Sequence, residues 1–94
     1  MTTILIACDI HNPARPPRHV TKSFEIDRDL ETDPIEVNEV LHLGSDFLSA
    51  DVLVIGVEGG DPPCFRRELY AIDPSASEDA KVNEAATLGW TVVR

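Results

Sequence analysis

Three prolines within nine residues, His11-Asn12-Pro13-Ala14-Arg15-Pro16-Pro17-Arg18-His19, constrain this chain more than any other feature. Each proline lacks an amide donor and has a fixed φ, so the stretch excludes a helix and a central strand. It reads as an extended loop, and the residues on its two sides belong to separate elements. Before it, Thr3 to Ile10 is rich in Ile and Leu and predicts a strand. After it, residues 20–27 alternate, with Val20, Phe24 and Ile26 on one face and Lys22 interrupting. This predicts an edge-prone strand antiparallel to the first, with Lys22 guarding it against edge pairing.

Asp33-Pro34-Ile35-Glu36 carries an acid at the N-cap, proline at the first helical position and glutamate at the third. Val37, Val40 and Leu41 follow at helical spacing, and Gly44 suits the left-handed residue that ends a helix. A strand through Ile35 and Val37 is the rival, but its alternation fails at Glu39. Ser45 to Asp51 predicts a short helical turn presenting Phe47 and Leu48. Val52-Leu53-Val54-Ile55-Gly56-Val57 is the strongest strand signal, a continuous apolar run suited to a central position covered on both faces. Glu58 to Pro63 is a turn or loop, and Phe65 to Ile72 suits a further strand.

Ser75-Ala76-Ser77-Glu78 fits a capping box for a last helix. Val82, Ala85, Ala86 and Leu88 supply its packing face, and Gly89 with Trp90 suits a Schellman ending. Trp90 to Val93 closes the chain as a short strand. The expected architecture is a single small acidic α+β domain over residues 1–94. Its order is β-β-α-β-β-α-β, a mixed or mainly antiparallel sheet covered by two helices.

Apolar residues make up 43% of the chain and charged residues 27%, a balance that supports a folded core rather than a disordered tail. Seventeen acids against eight Lys and Arg leave a net charge of −9, which opposes any direct binding of nucleic acid through its phosphates. The apolar start Thr3–Ala7 breaks at Asp9, has no basic region before it and falls short of the roughly 20 residues of a membrane span. No membrane segment or leader is therefore expected. Cys8 and Cys64 read as separate thiols in a reducing cytoplasm.

Each candidate chemistry has a plainer counterpart. Cys8 and His11, joined by Cys64 and His19, suggest a small zinc- or thiol-dependent domain. The plainer reading is a buried Cys8 beside solvated histidines. Cys64 near Asp61 and Arg66 is a candidate nucleophile, with His11, His19 or His42 as base. Nothing in their spacing requires catalysis, so no enzyme activity and no cofactor are expected. Gly56-Val57-Glu58-Gly59-Gly60-Asp61 follows a strand but lacks the lysine and Ser/Thr of a phosphate loop. Arg15, Arg18, His19 and Lys22 form a basic corner too thin to read nucleic acid.

The acids are the strongest lead. Residues 25–51 hold nine acids and only Arg28, whereas residues 1–24 hold one acid and three bases. Glu25, Asp27, Asp29, Glu31, Asp33, Glu36 and Glu39 recur every two or three residues, with Asp46 and Asp51 beyond them. On a strand, alternate residues are roughly 6.6–7 Å apart, near the phosphate spacing of one DNA strand. A row of carboxylates from strand to helix would then mimic nucleic acid. The expectation is a non-enzymatic inhibitor or modulator that docks on a basic, nucleic-acid-handling protein. Phe47 and Leu48 would supply its apolar anchor, and Tyr70 would extend it. The alternatives are the zinc- or thiol-dependent domain using Cys8, His11 and Cys64, and a structural subunit dimerising through an edge at Val20–Ile26 or Trp90–Val93. In profile alone, a very small acidic α+β chain without a catalytic signature, it resembles inhibitors and accessory proteins encoded by phages and mobile elements.

Overall fold

Alternation along the first twelve residues organises the sheet. In the computed structural model, which describes residues 1–12, 15–70 and 78–93, β1 (Thr2–Asn12) occupies its centre. Ile4, Ile6, Cys8 and Ile10 point to one face and are fully buried. β1 pairs antiparallel with β2 (Arg15–Ile26) and parallel with β6 (Cys64–Tyr70). β5 (Gly56–Glu58) and β7 (Thr91–Val93) flank these, giving the order β5-β6-β1-β2-β7. β3 (Val40–Leu41) and β4 (Val52–Leu53) form a separate two-stranded ribbon. The one helix among the described residues is α1 (Glu78–Thr87). None there is long and apolar enough to cross a membrane.

The expected β-β-α-β-β-α-β order is therefore corrected to seven strands and one helix among the described residues. The described part of the proline segment is strand where a loop was expected: the pairing of β1 with β2 extends to Asn12 and Arg15. Ile10 pairs with Arg18 and Asn12 with Arg15, so Pro16 and Pro17 together face His11 across a bulge. β7 reaches only His19–Thr21 of β2, and no described ladder asks the prolines for an amide. That same pairing joins the two segments expected to offer free edges. Lys22 lies on the core side, where Nζ donates to the Leu88 carbonyl at 3.0 Å.

The helix expected over Asp33–Gly44 does not form, and hydrogen bonding supplies the reason. A helix would offer the carbonyls of Asp33 and Pro34 to the amides of Val37 and Asn38. Both carbonyls instead accept from Arg28, Nε to Asp33 O at 2.9 Å and Nη2 to Pro34 O at 2.9 Å. The Asn38 amide donates to Val54 O at 2.7 Å, and Asn38 takes a φ of 75°. The local signal for helix loses to a tertiary alternative that satisfies the same groups. Ile35 and Leu41 are buried, but Val37 and Val40 are exposed. Gly44 has a different use from the expected helix end. A Cβ there would lie 2.5 Å from Ser49 Oγ, in a turn where the Leu43 and Gly44 amides donate to Ser49 O.

The apolar run Val52–Val57 is likewise not a central strand. It divides between β4 and β5, with Val52 and Val54 fully buried and Leu53, Ile55 and Val57 turned outward. One covered face, not two, explains that alternation. The core lies between the sheet and a cover made of α1, Trp90 and the connecting segment that supplies Ile35, Leu41, Leu48, Val52 and Val54.

The capping box expected at Ser75–Glu78 lies outside the described residues, save that Glu78 begins α1. Val82 and Ala85 form the buried face of α1, whereas Ala86 and Leu88 are exposed. Gly89, at φ 94°, closes the helix in a Schellman motif: its amide donates to Ala86 O at 3.2 Å and the Trp90 amide to Ala85 O at 3.0 Å. Trp90 is thereby seated against Phe24, ring centroids 5.9 Å apart and nearly edge-on. Gly89→Ala forces a side chain into the left-handed region and is expected to cost about 1 kcal/mol, lowering Tm by roughly 4–8 °C. An unchanged Tm in thermal circular dichroism would contradict this role.

Candidate functional site

The acidic segment is built around one cation. Arg28 follows the end of β2, and its own carbonyl is held by Thr2 Oγ1 at 2.6 Å. Its guanidinium grips the two carbonyls described above and two carboxylates. Nη2 donates to Glu39 Oε1 at 2.9 Å, Nη1 to Glu39 Oε2, and Nε lies 3.1 Å from Asp33 Oδ2. The planar fork fits this use, since several fixed N–H donors serve acceptors in different directions. The hydrogen bond from Arg28 holds Glu39 below the ordinary glutamate range, and the reciprocal bond holds Arg28 above the usual arginine value.

The seven acids consequently divide by role. Asp33 and Glu39 are bound to Arg28. Glu25 accepts from Thr3 Oγ1 across β1 and β2. The Asp29 carboxylate accepts the Glu31 amide at 3.0 Å and its carbonyl accepts the Asp33 amide at 2.8 Å, which shapes the turn. Asp27, Glu31 and Glu36 are exposed and make no ion pair among the described residues. The regular row from strand to helix is not present, because β2 ends at Ile26 and no helix follows. Phosphate-like spacing loses its geometric basis; the concentration of exposed charge does not.

Beyond this block, Asp46 has a structural task. Burial pushes its carboxyl up, but the amides of Leu48 and Ser49, at 2.8 and 2.9 Å, bring it below the usual aspartate range on balance. Asp51 is exposed beside His42 at 3.0 Å. Phe47 is half-buried under the Lys81 ammonium, 5.3 Å from its ring centroid. Leu48 is fully buried and cannot meet a partner without opening the core.

The thiols are separated by the sheet. Cys8 faces the core, whereas Cys64, opposite Leu5, and His11, opposite Tyr70, belong to the other face and lie roughly 20 Å apart along the strands. Cys8, His11 and Cys64 do not converge, His19 is held by Asp9, and no described group of three or more His, Cys, Asp or Glu residues could hold a metal. Burial pushes the Cys8 thiol up to about 11, and burial followed by Glu58 raises Cys64. Neither has the lowered pKa of an activated nucleophile. The basic corner is engaged as well, with Arg18 at 2.8 Å and Arg15 at 3.8 Å from Asp79 on α1.

Parallel pairing of β1 with β6 creates a charged network that sequence reading missed. Asp9 receives His19 Nδ1 at 2.6 Å and Arg66 Nη1 at 3.1 Å, and Arg66 reaches Glu58 at 2.7 Å. Beside it His11 stacks on Tyr70 at 4.9 Å, and the Tyr70 hydroxyl donates to Glu68 at 3.1 Å. The alternation Asp9, His11 and Arg66, Glu68, Tyr70 was visible, but only the register brings the two sets together. These charges satisfy one another, leaving Asp27, Glu31 and Glu36 as the less compensated acids.

No family model, curated protein or solved structure matches this chain. Replacing Arg28 tests the internal organisation directly. Arg28→Ala is expected to lose about 1–3 kcal/mol of stability in urea unfolding. Arg28→Lys should recover only a minor part, because one ammonium cannot serve both carboxylates and both carbonyls. Full recovery by lysine would show that charge alone matters.

Proposed function

We propose that this chain is a non-enzymatic protein-binding module, an inhibitor or modulator that docks on a basic protein through Asp27, Glu31 and Glu36, with Asp29 shaping their loop. The observation that carries this reading is the division of the acids by Arg28. Two carboxylates are spent on fixing the loop, and the remainder stand in solvent on a pre-shaped segment. Ordering the loop before contact reduces the entropic cost of association, and the field of the exposed acids accelerates encounter with a cationic surface. A partner that itself handles nucleic acid suits this chemistry, since such proteins carry basic grooves. A cytoplasmic setting suits the two unpaired thiols.

An octa-arginine peptide provides a defined basic probe. Reversing Asp27, Glu31 and Glu36 to lysine should weaken its binding about tenfold at low salt. Reversing Glu68, Asp79 and Glu84, on β6 and α1, makes the same change in net charge elsewhere and should weaken binding less than about threefold. Fluorescence anisotropy at two salt concentrations measures both. Equal losses would assign binding to net charge and overturn the assignment to this segment.

A further inference from the structure

A second surface answers the need for an apolar anchor that Leu48, buried in the core, does not meet. Val40 and Leu53 are direct cross-strand partners on β3 and β4, and they are 48% and 49% exposed. The chain then carries Ile55 and Val57 outward at successive alternate positions, 37% and 48% exposed, while Val52 and Val54 fill the core. Bonds from the Asn38 amide to Val54 O and from the Val54 amide to Glu39 O prolong the ribbon. Another from the Ile55 amide to Arg66 O, at 2.9 Å, fastens the run to the edge of the main sheet. Val40 and Leu53 are neighbours by register and Ile55 and Val57 follow along the chain, a ridge of four exposed apolar side chains held on paired backbone. Isolated exposed apolar residues are ordinary, but a contiguous set marks a contact surface.

The surroundings of the ridge indicate what covers it. Glu36 precedes β3 and Asp61 follows β5, both exposed and without an ion pair among the described residues, and Asp51 before β4 is exposed beside His42. Glu39 and Glu58, closer in the chain, are already held by Arg28 and Arg66. Two copies meeting through this ridge would confront like-charged rims on chains of net charge −9. We propose that the Val40–Leu53–Ile55–Val57 ridge binds an extended segment of a partner protein in which apolar and basic residues alternate. Alternate residues of an extended chain repeat at roughly 6.6–7 Å, so its apolar side chains meet successive members of the ridge. One side of the segment meets the ridge and its cations meet the acidic rim. This inference rests on the basic-partner reading above and identifies the form of the partner's contact.

The test uses two eight-residue peptides of equal charge, one alternating Arg and Val and the other alternating Arg and Ser, titrated against the intact chain. The valine peptide is expected to bind about tenfold tighter, an advantage of about 1.4 kcal/mol. Val40→Thr, Leu53→Thr and Val57→Thr together should reduce that ratio to below about twofold and leave the serine peptide's affinity unchanged. Val57→Thr alone, on the edge strand, gives a milder variant whose ratio should fall in part if the triple variant does not fold. Equal binding of the two peptides, with octa-arginine still sensitive to Asp27, Glu31 and Glu36, overturns the ridge and leaves the basic-partner reading standing. Failure of all three peptides to bind overturns both. A dimer in light scattering that Leu53→Thr dissolves would assign the ridge to a second copy and overturn the proposal.

Discussion

The guanidinium of Arg28 is the interaction on which the middle of this molecule depends. It stands just past β2, in a stretch where it is the only base among nine acids. By occupying the Asp33 and Pro34 carbonyls it removes the acceptors a helix would need. By binding Asp33 and Glu39 it also relieves the repulsion that would spread those carboxylates apart. The freed Asn38 amide then pairs with Val54, and the ribbon of β3 and β4 follows from that pairing. One side chain thus decides backbone geometry, local charge balance and the path of the segment over the core.

That path gives the two outer surfaces their different characters. Ile35, Leu41, Leu48, Val52 and Val54 point down onto the row of isoleucines in β1. Val40 and Leu53 turn to the outer face of the ribbon, Ile55 and Val57 stand exposed at the β5 edge of the sheet, and Glu31 and Glu36 lie in the loop. On the far side of the sheet, Asp9, His19, Arg66 and Glu58 form pairs among themselves. The acid-bordered ridge therefore combines apolar area with unsatisfied charge, the pairing of features on which the binding proposals rest.

Much of the sheet was legible from alternation. The strands at Thr3–Ile10, Val20–Asp27 and Trp90–Val93 correspond to β1, β2 and β7 with shifted ends, the described part of Phe65–Ile72 lies in β6, and Gly89 ends the last helix through the expected bonds. What failed did so for long-range reasons. Asp33-Pro34-Ile35-Glu36 has every local mark of a helix start, and the groups that defeat it, Arg28 and Val54, lie outside that window. Val52–Val57 reads as a two-sided core strand because periodicity cannot reveal that one face has no cover. Pro16 and Pro17 exclude regular pairing, but a bulge opposite His11 accommodates both. Of the candidate site, the excess charge was readable from composition. Which acids are already paired was not, because that depends on the fold around one arginine.

Nuclear magnetic resonance of the backbone over residues 33–44 tests the central claim most directly. Non-helical chemical shifts are expected throughout, with a positive φ at Asn38 and slow amide exchange at Asn38 and Val54, the two amides that join the segment to β4 and its neighbour. Contiguous helical shifts from Ile35 to Leu43, with an unprotected Val54 amide, would contradict it.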